Sequence, residues 1–233
     1  MPAREDRVVD PLVNPVWHAL GGPQAAAAET KGAARRYRPD ISPFTSVPDL
    51  AAPEDWDALR ALVGPGEVAF MICERVDVSP GWDATFELAG VQMVLDAPVT
   101  APDDLDAYEL TPDDVPDMLA LVERTRPGPF RARTIELGTY LGVRVDGALV
   151  AMAGERMRPS GYTEISAVCT DDGFRGRGLA SALTRAVAAR IVARREVPIL
   201  HAAAENVTAL RLYETLGFRH SRPMQAKALR APA

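Results

Sequence analysis

The segment from Tyr162 to Arg195 restricts the fold most, because its pattern predicts a strand, a glycine-rich loop and a helix in direct succession. The strand contains TEISAVCT, the loop is DDGFRGRG, and the helix is LASALTRAVAARIVARR. Backbone N–H groups at the start of such a helix point to one place, and the helix dipole adds positive charge there. Gly176 and Gly178 let a ligand approach the backbone closely, and Arg175 and Arg177 supply cations that match phosphate oxygens. The segment therefore predicts an anion site suited to phosphate.

Two better-known phosphate-binding patterns are excluded by spacing, since the sequence contains neither GxxxxGK[ST] nor GxGxxG. A glycine-rich loop alone is equally compatible with a plain turn before an amphipathic helix. A second element follows at residues 201–220, HAAAENVTALRLYETLGFRH. Asn206 suits the N-cap of a short helix, and Gly217 suits the left-handed position after its last turn. Tyr213 lies on this helix, where the alternatives are a packed core tyrosine and a functional phenol.

Together the two elements resemble the GNAT superfamily of N-acetyltransferases. The coenzyme A signature of that family, [Q/R]-x-x-G-x-[G/A], is matched by residues 175–180, RGRGLA. Its second motif is an Asn-capped helix that ends in aromatic-acid-x-Leu-Gly-Phe. The residues that match this motif are Asn206, Ala209, Leu212, Tyr213, Glu214, Leu216, Gly217 and Phe218. The stretch EISAVCT also resembles the central strand of the family, and the resemblance covers residues 105–229.

The resemblance implies an α/β (α+β) fold with a mixed, mostly antiparallel twisted sheet flanked by helices. A linker at residues 96–104, DAPVTAPDD, separates two regions in this interpretation. Residues 1–100 are expected to form an N-terminal accessory or degenerate GNAT-like domain, and residues 105–233 the GNAT acetyltransferase domain.

Local patterns predict individual elements. The stretch Pro15–Tyr37 is rich in good helix formers and predicts a helix, while Glu67–Val76 and Phe86–Leu95 suit strands. The Asp146-Gly147 pair predicts a tight hairpin between two strands. A final strand is predicted to include Met224–Leu229.

The resemblance further implies acetyl transfer from acetyl-CoA, as cosubstrate, to a primary amine through a ternary complex. The pyrophosphate is expected on the N–H groups of the loop, and the pantetheine arm along the strand edge. The cofactor-binding residues expected on this basis are Val168, Cys169, Thr170, Arg175, Gly176, Arg177, Gly178, Leu179, Ala180, Ser181 and Asn206. A backbone N–H near Val168 would bind the carbonyl oxygen, and Tyr213 would give a proton to the departing thiolate.

The amine must also lose a proton, and two side chains are candidates for the base. Glu164 begins the central strand, and alternation places it on one face with Ser166 and Val168. His201 lies on the neighbouring predicted strand, and a histidine suits base chemistry near neutral pH. Each has a structural alternative, as a surface glutamate or a core histidine, and a water chain could serve instead of both.

Composition limits the remaining partners and the compartment. The net charge of −6 disfavours nucleic acid and anionic lipid, and no apolar run suits a membrane span. Two widely spaced cysteines predict neither a disulfide framework nor a metal site, and they fit a reducing cytoplasm. Cys169 is expected to be a small core residue. The expected acceptor is a small molecule, an amino acid or a peptide, and a homodimer is left open. The alternative function is a non-catalytic acyl-CoA-binding regulatory module.

Overall fold

The computed structural model describes residues 10–233. The helices are α1 (Pro15–Leu20), α2 (Pro53–Val63), α3 (Val115–Thr125), α4 (Leu179–Ala193) and α5 (Val207–Thr215). The first strands are β1 (Ala28–Lys31), β2 (Ala34–Tyr37), β3 (Thr45–Ser46), β4 (Val68–Cys73), β5 (Asp83–Leu95) and β6 (Tyr108–Glu109). The remaining strands are β7 (Tyr140–Val145), β8 (Ala148–Glu155), β9 (Tyr162–Thr170), β10 (Val197–Ala203) and β11 (Phe218–Arg230).

An eight-stranded sheet in the order β4-β11-β5-β10-β9-β8-β7-β6 forms the centre of the molecule. Its neighbouring strands are antiparallel, except that β9 and β10 run parallel. One buried apolar cluster joins the sheet to α4 and α5, and another joins it to α3. The predicted fold class, a mixed and mostly antiparallel sheet flanked by helices, is confirmed.

Strands β4 and β5 come from the first hundred residues, yet both belong to the central sheet. Strand β5 lies between β10 and β11, so residues from both sides of the 96–104 segment pair directly. The division into domains 1–100 and 105–233 stays a prediction. Residues 28–46 add a separate three-stranded sheet, β1-β2-β3.

The predicted helix over Pro15–Tyr37 is wrong beyond its first turns. Helix α1 ends at Leu20, and β1 and β2 pair as a hairpin across Gly32, whose φ is +54°. The pair Gly21-Gly22 and the following proline interrupt helix propagation. Tyr37, only 1% exposed, then packs inward from β2, so tertiary burial outweighs the helix propensity of the alanines.

Other local predictions are confirmed. Asp146 and Gly147 both have positive φ, 50° and 81°, as the two-residue turn between β7 and β8 requires. The Asn206 side chain accepts a hydrogen bond from Ala209 N at 3.1 Å and caps α5. Gly217 follows this helix with φ +90°. The last strand is longer than predicted, because β11 begins directly at Phe218.

The long helix α4 buries its apolar stripe against the sheet. Leu183, Val187 and Ile191 are each 0% exposed, as their helical spacing predicts. This contact fixes the start of α4 near the end of β9, which positions the glycine-rich loop. Within residues 10–233, no helix is long and apolar enough to cross a membrane.

Candidate active site

Strands β9 and β10 separate halfway along their length. Their parallel pairing ends at Ile165 and Leu200. Beyond that point, Val168–Thr170 and His201–Ala203 line a cleft of about 1110 Å³. The unpaired edge of β9 therefore offers backbone groups to a ligand inside the sheet.

A bulge in β9 reorients the strand at this point. The pairing with β8 skips from Ser166 to Cys169, and Ala167 has φ +53°. A residue in this left-handed conformation bends the strand and turns the next N–H out of the ladder. The strict alternation predicted from Glu164 through Ser166 to Val168 is therefore interrupted. Val168, just after the bulge, lines the cleft.

The glycine-rich loop forms the end of the cleft at the start of α4. Gly176 and Gly178 have φ +76° and +78°, and a Cβ on either would meet no atom within 4 Å. They are needed for the left-handed backbone and leave open space above it. In the described part of the chain, the N–H groups of residues 176–181 have no hydrogen-bond acceptor. Several donors thus converge at a helix N-terminus, which is an anion-binding arrangement.

The two loop arginines differ in position. Arg175 lines the cleft and forms a 2.7 Å ion pair with Asp172, both side chains being exposed. Arg177 does not line the cleft; its guanidinium lies 4.8 Å from the ring centre of Phe174. Arg175 is therefore the loop side chain that can reach an anion in the cleft.

Tyr213 projects from α5 into the same cleft and is 9% exposed. Its ring packs edge-on against Phe218 at 6.1 Å, which fixes the phenol. Burial raises the pKa of Tyr213 to about 12. The phenol is thus protonated at neutral pH and can act as a proton donor.

Glu164 lies in a buried ion cluster and does not line the cleft. It is 0% exposed and receives bonds from Arg156 Nε at 2.8 Å and Nη2 at 2.6 Å. Burial alone would raise its pKa, but the charge and hydrogen bonds of Arg156 outweigh burial and lower the pKa to about 2. His201 Nδ1 contacts the same carboxylate at 2.8 Å. A carboxylate with so low a pKa is a weak base, but its contact with Nδ1 holds the imidazole in position.

Gln92 determines the tautomer of His201. Its amide nitrogen donates to Leu12 O and lies 3.0 Å from His201 Nε2. Because that nitrogen is a donor, the ring must accept at Nε2 and carry its proton at Nδ1, facing Glu164. The amide oxygen of Gln92 is buried and has no partner among residues 10–233.

The remaining predicted residues gather around the cleft, as far as the structure describes it. Its lining includes Val168, Cys169, Thr170, Gly176, Gly178, Leu179, Ala180, Ser181, His201, Asn206 and Tyr213. Burial raises the pKa of Cys169 to about 11, so its thiol stays protonated. The buried hydroxyl oxygen of Thr170 has no hydrogen-bond partner in the described part of the chain, and with the free N–H groups it fits a ligand rich in acceptors, as coenzyme A is. Within residues 10–233, no cluster of three or more metal-binding side chains occurs.

Three features of the site were not predicted from the sequence: the bulge in β9, the arginine that pairs with Glu164, and an apolar part of the cleft. Ala167 and Arg156 carry no sequence signal, because a bulge and a buried ion pair depend on distant strands. The apolar part includes Phe44, Phe70 and Phe86. A signal for it existed in β5, where Phe86, Leu88, Gly90 and Gln92 alternate on one face.

Comparison with known proteins places this geometry in context. Residues 140–226 match the family model of the FR47-like proteins. A Novosphingobium aromaticivorans protein of known crystal structure, described as a putative acetyltransferase from the GNAT family, is 42% identical in sequence to this chain. The two structures superpose with a TM-score of 0.88, and the match covers 96% of this chain and 99% of that one. A GCN5-related N-acetyltransferase from Kribbella flavida shares the fold, with 16% identity and a TM-score of 0.60 over 94% and 96% of the two chains. No protein of curated function matches the sequence.

Proposed function

Because the chain belongs to the GNAT family of acetyltransferases, we propose that it transfers an acetyl group from acetyl-CoA to a primary amine in one ternary complex. The observation that carries the proposal is the set of free N–H groups at residues 176–181, joined by one cleft to the point where β9 and β10 separate. A volume of about 1110 Å³ exceeds that of an ordinary single-ligand pocket. This size supports a ternary complex in which both substrates lie side by side without a covalent enzyme intermediate.

The donor binds along the loop and β9. Its pyrophosphate accepts hydrogen bonds from the N–H groups of residues 176–181, and Arg175 adds a cation. Its pantetheine arm extends the sheet by pairing with the free edge at Val168–Thr170. This position directs the thioester to the bulge, between β9 and β10.

Bond formation occurs at the thioester carbon. The amine nitrogen attacks that carbon, and the carbonyl oxygen becomes an oxyanion that accepts a hydrogen bond from Val168 N–H. Collapse breaks the carbon–sulfur bond and releases the thiolate. As the carbon–sulfur bond breaks, Tyr213 donates its phenolic proton to the departing sulfur, and solvent returns a proton to the phenolate; with a pKa of about 12, the phenol is fully protonated at pH 7.

The amine proton is accepted by His201, with Glu164 as a positioning residue. Glu164, with its pKa of about 2 and its Arg156 partner, favours the ion pair over proton uptake. Its carboxylate faces His201 Nδ1–H and leaves Nε2 as the accepting atom. Since Gln92 now donates to Nε2, proton uptake requires its side chain to turn and present its unpaired oxygen.

A thiol-release assay with acetyl-CoA and a panel of primary amines tests the reaction. We expect amine-dependent release of free thiol and the acetylated amine by mass spectrometry. Calorimetry with acetyl-CoA provides the binding measurement. Binding without release across the panel would instead support the alternative, a non-catalytic acyl-CoA-binding regulatory module, and absence of binding would refute the whole assignment.

The role of His201 has its own test in kcat/KM for a primary amine at a fixed pH. The His201→Gln variant should lower kcat/KM about 100-fold, because glutamine cannot accept the amine proton. The Glu164→Gln variant should lower it less, because His201 keeps its ring and loses only one contact. An unchanged kcat/KM in both variants indicates that water accepts the proton.

A further inference from the structure

An apolar groove extends from the cleft along one face of the sheet. Cross-strand partners on this face, such as Gly90 with Met224 and Leu88 with Ala226, come from β5 and β11. Strand β4 continues the same face, since Ile72 pairs with Ala226. We name this surface the aromatic groove, and it consists of Phe44, Phe70, Ile72, Phe86, Leu88 and Met224.

Three phenylalanine rings form a row along the groove. The rings of Phe44 and Phe70 lie 5.4 Å apart, and those of Phe70 and Phe86 are stacked at 6.0 Å. Exposure increases along the row, from 2% for Phe44 to 45% for Phe86. A contiguous exposed apolar patch marks an interaction or ligand-binding site, whereas a single exposed ring does not. The row therefore has the form of a binding surface that is closed at its inner end and open at its outer end.

The inner end of the groove meets the reaction centre. Gly90 of β5 pairs with Ala203 of β10, and the next residue on the same face, Gln92, pairs with His201. Since His201 and the row of rings line one continuous cleft, a molecule in the groove brings one end to the proposed base. The amine must lie beside that base, whereas the thioester enters from the opposite side, along β9.

Charge along the groove defines the chemistry of its occupant. Every described residue that β4, β5 and β11 contribute to the cleft is apolar. The Arg156 guanidinium lies 4.8 Å from the Phe44 ring centre, but Glu164 neutralises it. The other lining cations, Arg126 and Arg175, come from loops next to α3 and α4 rather than from the groove strands. The groove thus provides no counter-charge for a carboxylate.

From this arrangement we propose that the acceptor is a primary amine with an uncharged apolar body, preferably an aromatic ring, bound in the aromatic groove with its amino group at His201. The inference rests on the proposed acetyl transfer and specifies its acceptor. An aromatic ring gains edge or face contacts with Phe70 and Phe86 that a short polar amine cannot make.

Three amines that differ in ring and charge test the acceptor class. In the thiol-release assay, 2-phenylethylamine should have a kcat/KM at least about tenfold above that of ethanolamine, because ring burial stabilises only the former. Phenylalanine should be poorer than 2-phenylethylamine, because its carboxylate finds no cation in the groove. Equal values for 2-phenylethylamine and ethanolamine would overturn the inference while leaving acetyl transfer intact.

Substitutions of Phe86 test whether the preference for an aromatic amine arises from the aromatic groove. Phe86→Ala should raise the KM for 2-phenylethylamine roughly five- to tenfold, with little effect on ethanolamine. Phe86→Tyr keeps the ring and should keep the preference. Val192→Ala is the matched control, since Val192 is also 45% exposed but lies on α4 outside the cleft. A loss in Val192→Ala equal to that in Phe86→Ala would show a general stability effect and contradict the groove assignment.

Two further measurements separate the inference from the proposed function. If acetyl-CoA binds but no amine is acetylated, calorimetry of 2-phenylethylamine with the CoA-saturated protein shows whether the amine binds in the aromatic groove. A binding heat that the Phe86→Ala variant abolishes supports the inference, and the absence of a binding heat overturns it. If octanoyl-CoA binds more tightly than acetyl-CoA and Phe86→Ala removes the gain, the groove holds an acyl chain, and the acceptor inference is wrong.

Discussion

Replacing Glu164 by glutamine tests the buried ion cluster that positions His201. The side chains of Arg156 and Glu164 are 8% and 1% exposed, and two hydrogen bonds connect them. Glutamine keeps the size and one acceptor but leaves the guanidinium buried without a counter-charge. Breaking such a pair costs about 3–5 kcal/mol of folding free energy.

The pKa of Glu164 gives a second measure of the same interaction. The pKa falls from an ordinary 4.5 to about 2 in the folded protein. At about 1.4 kcal/mol per pH unit, this shift corresponds to about 3 kcal/mol of stability. Because the pKa is lowered by folding, the stabilisation is complete above pH 4.5 and is lost as the pH falls toward 2. Glu164→Gln should lack this part of the acid dependence.

Urea denaturation followed by circular dichroism measures both effects, at pH 7 and at pH 3. Asp77→Asn is the control, since its pair with Arg75 is 61% and 77% exposed and should contribute less than about 1 kcal/mol. Adding Arg156→Met to Glu164→Gln should restore much of the loss, because no unpaired charge remains. A loss for Glu164→Gln as small as that for Asp77→Asn would refute the buried-cluster account.

Three other changes test the donor site and the sheet. Tyr213→Phe should lower kcat about 100-fold or more with an unchanged acetyl-CoA Kd by calorimetry; a parallel loss of affinity would mean that the phenol only packs. Gly178→Glu should abolish acetyl-CoA binding, because it places a carboxylate at the helix N-terminus. Gly161→Glu is the control and should bind acetyl-CoA normally, because Gly161 has a similar φ of +82° but lies outside the cleft. Binding by both variants would refute the loop assignment. Deleting residues 1–100 should give no cooperative thermal transition, since it removes β4 and β5 from the sheet; a soluble fragment that binds acetyl-CoA would contradict this expectation.

The donor side of the site could be predicted because its determinants are local in sequence. The strand, loop and helix of residues 162–195 follow one another directly, and each local signal agrees with the others. The positive φ of Gly217 and the cap at Asn206 were predicted from residue type and position in the helix pattern. The helix predicted over Pro15–Tyr37 was wrong because local and distant determinants disagree there. The composition favours a helix, whereas burial against the rest of the protein favours the hairpin of β1 and β2.

The acceptor side could not be predicted, because it is assembled from residues far apart in sequence. Phe44, Phe70 and Phe86 meet only in the assembled sheet, where β11 lies between β4 and β5. The bulge at Ala167 likewise depends on how β8 and β9 pair. No residue type signals the bulge, and the alternation in β5 indicates an apolar face without showing which side chains meet it.

The insertion of β5 explains how one sheet serves two substrates. Strand β10 pairs with β9 over its first half and with β5 over its second half. The same strand therefore releases the edge of β9 for the donor and remains anchored where His201 meets Gln92. The N-terminal residues thus fix the position of the proposed base and supply the groove that faces it. Sequence changes in β4 and β5 can in this way alter acceptor preference without disturbing the loop that holds the donor.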